Sequence, residues 1–322
     1  MASASWIADL PGRRKTGGFA GDVRQRLTPF VPAPYVWAME PATCSGFVRP
    51  ARRPAGWIAP GPAPRTPPNR PDLWPGAHEE LCHLAGDWRL LQRVDGHRWS
   101  LDDLVTAWFA ADQPCDRAPQ RILDLGCGIG AVLLLLAWRF PAAHCAGVEA
   151  QALSVALARR SIAWNGVEHR CDVRLGDLRD QTSGPEGRVY DLITGTPPYL
   201  APGTATVPIR RQQVGCHLEQ RGGIEAYCTV AARLLRPGGR FVVCHSAPAR
   251  TVSAAAGAGL AITARRAVIP RDGKPPLFWV FAFARAGGSG ETTDHAPLVV
   301  RDRSGQRTPA FRALRADMGM PP

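Results

Sequence analysis

The stretch Asp124-Leu125-Gly126-Cys127-Gly128-Ile129-Gly130 sets an acid ahead of three alternating glycines. Glycine has no side chain, so a bound nucleoside can approach the backbone closely there. Asp124, at the end of an apolar run, is an acid able to hold the cationic amino group of a methionine moiety. Glu149 ends the next apolar run, where a carboxylate can accept both ribose hydroxyls, and Asp177 closes a third, placed to accept from an adenine amino group. A nicotinamide cofactor would share the ribose acid. Its fingerprint is Gly-x-Gly-x-x-Gly, however, and its crevice must seat a pyrophosphate at a helix N-terminus. The plainer reading is that the glycines only permit a tight strand-to-helix turn. After a fourth run comes Gly195-Thr196-Pro197-Pro198-Tyr199, whose prolines fix the backbone and remove donors that would compete for a carbonyl.

These residues need a sheet edge to bring them together. From Leu81 onward strand and helix signals alternate, which predicts a parallel sheet covered on both faces. Strands are expected at Arg121 to Gly126, Cys145 to Glu149, Cys171 to Asp177, Tyr190 to Thr194 and Arg240 to His245. Helices are expected at Leu101 to Ala111, Ala131 to Phe140, Leu153 to Trp164 and Gly223 to Leu235, the third closed by Asn165-Gly166 and the fourth by Pro237-Gly238-Gly239. Ala261 to Ile269 and Leu277 to Ala284 read as two strands joined by a turn. The fold class expected is therefore α/β, Rossmann-like, with a seven-stranded, mostly parallel sheet ending in an antiparallel hairpin. That terminal hairpin separates methyltransferase sheets from nicotinamide-binding ones, and with the shorter glycine spacing and the three acids at strand tips S-adenosylmethionine is the expected cofactor.

Thr196-Pro197-Pro198-Tyr199 resembles the Asn-Pro-Pro-Tyr signature of class I methyltransferases that act on amino groups conjugated to a planar system. The resemblance implies that the side chain of the first motif residue and a proline carbonyl accept the two N–H bonds of the acceptor nitrogen, while Tyr199 stacks on the base. Thr196 stands where that signature has asparagine, so a rotatable hydroxyl must accept in place of an amide oxygen. Either the geometry still works with less preorganisation, or the acceptor differs, or methyl transfer has been lost. His97-Arg98-Trp99-Ser100-Leu101-Asp102-Asp103-Leu104 and the tail from Pro297 to Met318 are similar to the bacterial tRNA(Val) adenine-37 N6-methyltransferase family. That resemblance spans roughly residues 88 to 320 and implies that Asp102 lies near the cofactor. It also implies that Arg210, Arg211 and Arg221 border the acceptor pocket and meet RNA phosphates, which position a nucleic acid without specifying its sequence. A solvated loop is the alternative for these arginines. The activity implied is N6-methylation of an adenine in tRNA or other RNA. Alternatives are a protein glutamine N5- or ribosomal RNA guanine N2-methyltransferase, or a catalytically silent cofactor-binding RNA module.

The net charge of +12 suits a polyanionic partner, yet among 39 basic residues only Lys15 and Lys274 are lysines, a bias that a GC-rich genome also writes. Residues 1–80 are rich in proline and arginine, without useful periodicity, and are expected to be a disordered arm. That arm is read as an organellar transit peptide, as an RNA-touching tail, or as sequence upstream of a later start such as Met39. Residues 81–322 are expected to form the methyltransferase domain, opening with a short helical lead-in over about 86–118. Arg265, Arg266, Arg271 and Lys274 form a second basic patch. Nine cysteines without a Cys-x-x-Cys pair predict neither a disulfide framework nor a metal site. The apolar run Ala131 to Trp138 is far short of the roughly 20 residues that cross a bilayer, and a cytoplasmic location is expected.

Overall fold

Apolar residues fill strand after strand here because helices cover both faces of the central sheet, leaving little room for polar alternation. The computed structural model describes residues 45–65, 69–180, 189–198, 222–287 and 292–322, all within one unit. Its elements in chain order begin with β1 (Phe47–Val48), β2 (Glu79–His83), β3 (Arg89–Arg93) and α1 (Leu101–Ala111). Then come β4 (Arg121–Leu125), α2 (Ala131–Arg139), β5 (His144–Glu149), α3 (Ala152–Asn165), β6 (Cys171–Leu175) and β7 (Tyr190–Gly195). The chain finishes with α4 (Ile224–Leu234), β8 (Leu235–His245), α5 (Pro248–Gly257), β9 (Leu260–Ile269), β10 (Phe278–Arg285), β11 (Thr293–Val299) and α6 (Pro309–Asp317).

The main sheet has the order β11-β9-β10-β8-β7-β4-β5-β6. Strands β8, β7, β4, β5 and β6 are parallel, while β10 runs antiparallel to both β8 and β9. The seven strands expected from the sequence are thus joined by an eighth, β11, which pairs in parallel with β9 at the edge. Residues alternate between two cores. Ile122, Val242 and Cys244 face a core with α1, α2 and α3, whereas Leu123, Leu125, Phe241 and Val243 face one with α4. Helix α2 is apolar on every side and buried along its length, so the sequence's longest apolar run is core. Among the described residues no helix is long and apolar enough to cross a membrane.

Two expectations need correction. Residues 45–65 and 69–80 do not behave as a disordered arm. They pack on the domain, with β1 paired to β2, Leu73 buried, and Trp74 set edge-on against Trp164 of α3 at 5.1 Å between ring centroids. Prolines hold this stretch extended, and tryptophan and arginine contacts fix it without any period. Arg160 of α3 donates to the Asp72 carbonyl at 2.9 Å and to Glu79 at 2.8 Å, while Arg53 lies 5.0 Å over the Trp57 ring. The lead-in, likewise, is only partly helical. β2 and β3 form an antiparallel hairpin against α3, and the helix is confined to Leu101–Ala111. Pro237-Gly238-Gly239 also does more than stop a helix. Tyr190 pairs with Leu235 and Leu192 with Arg240, so residues 236–239 bulge from a continuous strand.

Candidate active site

Because β7, β4, β5 and β6 are adjacent and parallel, their C-terminal ends present Thr196, Gly126, Glu149 and Asp177 along one edge. The turn between β4 and α2 is the centre of that edge. Gly126 has φ +61°, and a Cβ there would lie 2.2 Å from the Tyr227 hydroxyl. Gly128 has φ +54° with nothing within 4 Å of where a Cβ would go, leaving its outer face open to a ligand. Both conformations strain any residue with a side chain.

Glu149 is buried and ties the turn to β5. One carboxylate oxygen accepts from the Gly128 N–H at 3.0 Å and the other from the Gln151 N–H at 2.7 Å. Asp177 is gripped bidentately by Arg179, at 2.9 and 2.6 Å. A single small crevice is lined by Gly126, Glu149, Asp177, Leu178, Pro198 and Tyr227. The structure therefore unites Gly126 of the glycine turn, two of the expected acids and Pro198, the second of the two prolines. Thr196 is half-buried and Pro197 buried at the end of β7. Tyr199, Arg210, Arg211 and Arg221 lie outside the described residues.

Asp124 is placed differently from the expectation. It does not line the crevice; it is 2% exposed beneath the turn, accepting from the Thr194 hydroxyl at 2.8 Å and from the Leu133 N–H in the first turn of α2. Burial pushes its carboxyl up to about 7, against the pull of those two donors, and Glu149 adds to the rise. Any influence on a bound cation is thus exerted through space. Asp102 is likewise outside the lining, half-buried in the first turn of α1, where it accepts from the Ser100 hydroxyl. Its neighbour Asp103 is the acid that turns inward. Asp103 accepts from the Ser100 N–H at 2.9 Å, and burial lifts its carboxyl well above the usual range, with Asp102 and Asp124 contributing.

Sequence reasoning missed Tyr227. It is 4% exposed on α4, with its hydroxyl against Gly126 and its ring against Gly195, where a Cβ would fall 2.7 Å away. Only the packing of α4 across the strand ends brings it there, so no local signal marks it. The glycine at 195 was the available hint, as a residue without bulk at the end of a buried strand. Cys127 is buried and its thiol is raised well above the ordinary range by burial, which suits packing rather than nucleophilic chemistry. Among the described residues no three His, Cys, Asp or Glu side chains cluster as metal ligands.

Comparison with known proteins finds similarity to methyltransferases. The model of the methyltransferase small domain matches residues 103–251. A tRNA1(Val) (adenine(37)-N6)-methyltransferase of Porphyromonas gingivalis is 32% identical over 142 residues, 44% of this chain and 54% of that protein. The chain therefore spans about half the length of that relative. A protein of the same name from Yersinia pestis is 26% identical over 203 residues, 62% of this chain and 79% of that one. Among solved structures, an Agrobacterium tumefaciens protein described as a predicted O-methyltransferase superimposes with a TM-score of 0.52 at 21% identity, covering 68% of this chain and 98% of that one, a likeness of fold. With the glycine turn, the acidic strand ends and the terminal hairpin on one α/β sheet, the chain resembles the class I methyltransferases, and its residues 103–251 match the small methyltransferase domain.

Proposed function

We propose that the chain uses S-adenosylmethionine to methylate the N6 amino group of an adenine in tRNA, in the cytoplasm. The observation that carries this reading is the convergence of Gly126, Glu149, Asp177 and Pro198 on one crevice. The residues fit the donor. The open face of Gly128 admits a nucleoside, Glu149 supplies acceptors for ribose hydroxyls, and Asp177 supplies one for the adenine amino group. When bound, the donor supplies an electrophilic methyl group on a sulfonium.

The protein's own task is to prepare a poor nucleophile. An adenine amino lone pair is delocalised into the ring, and hydrogen bonds from both of its N–H groups to fixed acceptors draw the nitrogen towards tetrahedral geometry. The Thr196 hydroxyl and the Pro197 carbonyl serve as those acceptors, and Pro198 contributes no N–H to compete for them. Tyr199 covers the base face, and Arg210, Arg211 and Arg221 hold phosphates of the same RNA. Tyr227 closes the crevice floor against Gly126 and Gly195, so that the donor turn and the acceptor strand keep a fixed separation. Little general-base help is required, because the extra proton on the methylated nitrogen is acidic enough to leave for water through the Thr196 hydroxyl.

The decisive experiment is mass spectrometry of total RNA nucleosides and of peptides from cells with and without the gene. Loss of N6-methyladenosine from tRNA is the expected result. Loss of methylglutamine, or of N2-methylguanosine from ribosomal RNA, moves the acceptor to the second enzyme class. Thr196 in the place of asparagine favours one further reading, a silent donor-binding RNA module. Donor binding by calorimetry without label transfer to any RNA would select it.

A further inference from the structure

Away from the strand ends, the β2–β3 hairpin, the segment around residues 47–53 and the C-terminus enclose a cavity of about 540 Å³. Five arginines line it: Arg49, Arg52, Arg53, Arg98 and Arg315. Two carboxylates stand behind them. Glu80, 1% exposed, accepts from Arg49 at 2.6 Å and from Gln92 at 2.6 Å and pairs with Arg98, while Asp87 accepts from Arg53 at 2.6 Å. These acids fix three guanidiniums without neutralising the group. Arg52 and Arg315 have no carboxylate partner among the described residues. Among the described residues Arg315 donates to the Pro321 carbonyl at 2.9 Å and the Met320 sulfur at 3.7 Å, and burial lowers it to about 10. An arginine so placed is stabilised by an anion.

The walls carry more than charge. Phe47 is 52% exposed and has the Arg49 guanidinium 5.5 Å over its ring; Trp99, half-buried, also lines the cavity. His83 also lines the cavity, and its Nε2 is buried with no hydrogen-bond partner among the described residues. Fixed guanidiniums, flat aromatic faces and an unspent imidazole nitrogen are what a nucleotide engages through phosphate, base and sugar hydroxyl. Trp99 directly precedes Ser100, the residue capping α1, and Asp103 in the first turn of α1 is within electrostatic reach of Asp124 under the donor turn. The cavity therefore adjoins the start of α1, whose first turn lies within electrostatic reach of the acid beneath the donor turn.

We propose that this cavity is a second RNA site, which takes an unpaired nucleotide of the substrate outside the methylated position, its phosphate on Arg52 and Arg315 and its base against Trp99. The proposal rests on the reading of RNA as substrate. Its test uses the full chain and an unmodified tRNA transcript, with binding followed by fluorescence anisotropy across a salt series. Arg52→Glu, in an exposed position, and Arg315→Gln together weaken RNA binding by about tenfold or more and reduce the salt slope by about 0.7 for each phosphate no longer neutralised. Trp99→Ala weakens it by about tenfold through the missing stacking partner. The KM for RNA rises, kcat and donor affinity stay as in the parent protein, and Arg315→Lys restores most of the affinity. Melting curves separate an unfolded variant from a folded one that grips RNA less tightly, and Arg52→Glu alone keeps the test valid should Arg315→Gln unfold. Variants that bind RNA as the parent does overturn the proposal and leave the proposed function standing. Protection of Arg315 from phenylglyoxal by free adenosine monophosphate, with RNA affinity unchanged in the variants, makes this a mononucleotide site and also overturns it. A parent chain that binds the donor but no RNA instead removes the RNA reading itself.

Discussion

With the donor held as proposed, the buried carboxyl of Asp124 is expected to make its binding pH-dependent in a range where proteins rarely titrate acids. Its ordinary value is 3.8 and burial lifts it to about 7. Below that point the group is protonated and offers nothing to the cationic donor; above it the carboxylate attracts both ammonium and sulfonium through the low-dielectric floor of the turn. If only the ionised form binds, Kd scales as one plus the ratio of proton concentration to the acid constant. Lowering the pH from 7.5 to 5.5 then weakens binding by about 25-fold from this group alone, offset by less than about twofold as the donor's own amino group completes its protonation. Calorimetry of donor binding at half-unit intervals measures this directly. Asp124→Asn flattens the profile, at the affinity the parent shows at low pH, while Asp103→Asn leaves the slope in place. The same shift has a stability consequence of definite sign. A carboxyl raised from 3.8 to about 7 on folding contributes stability that is fully present below pH 3.8 and lost as pH rises towards 7, an upper bound of about 4 kcal/mol. Unliganded protein should therefore melt lower at pH 7 than at pH 5 on account of this group, with donor restoring the difference. A flat parent profile between pH 5.5 and 7.5, or the same slope in Asp124→Asn, refutes the through-space role.

Gly126→Ala sets a methyl group 2.2 Å from the Tyr227 hydroxyl at φ +61°, and is expected to weaken donor binding more than tenfold by calorimetry. Adding Tyr227→Phe leaves a 3.2 Å approach to the ring and restores part of that loss, but not the backbone strain of about 1 kcal/mol. Thr196→Asn preserves or raises turnover in a label-transfer assay on tRNA; abolished turnover would remove Thr196 from the acceptor role. Asp191 is 2% exposed, and although burial works against it, the Arg121 N–H and the Arg236 and Arg117 guanidiniums hold its carboxyl down to about 2. Asp191→Ala strands those donors and costs about 3–5 kcal/mol in denaturant unfolding, and in the parent its contribution is present above pH 3.8 and lost as pH falls towards 2. Asp103→Ala removes half of the capping box of α1 and lowers stability by about 1 kcal/mol, whereas Asp102→Ala leaves the melting temperature nearly unchanged.

How much of this was readable from the residues alone depends on how local each feature is. The glycine turn, Glu149, Asp177 and the double proline are each announced by a short apolar strand that stops at them, and a parallel sheet obliges such stops to share an edge. Tyr227 has no such announcement. It sits in mid-helix and reaches Gly126 only because α4 packs across the strand ends. The stretches 45–65 and 69–80 failed for the opposite reason. Its prolines and isolated tryptophans show no period, yet Trp74 and Arg160 pin it to α3 through contacts with residues far along the chain. Periodicity reports elements that bury a face of their own, and it is silent about segments held by single side chains.

The choice between Asp102 and Asp103 shows where a stricter physical reading would have succeeded. Successive helical residues point about 100° apart, so these two acids cannot both face the sheet, and composition does not say which one turns inward. Capping chemistry does. Ser100 precedes the helix and the acid three positions later is Asp103, whose carboxylate returns to the Ser100 N–H at 2.9 Å. That bond fixes the rotation of the first turn and carries Asp103 inward, leaving Asp102 at the rim beside the Ser100 hydroxyl. The buried carboxyl then stands close enough to Asp124 for that acid to add to the rise that burial imposes on it, so the cap of α1 lies within the electrostatic reach of the acid beneath the donor turn.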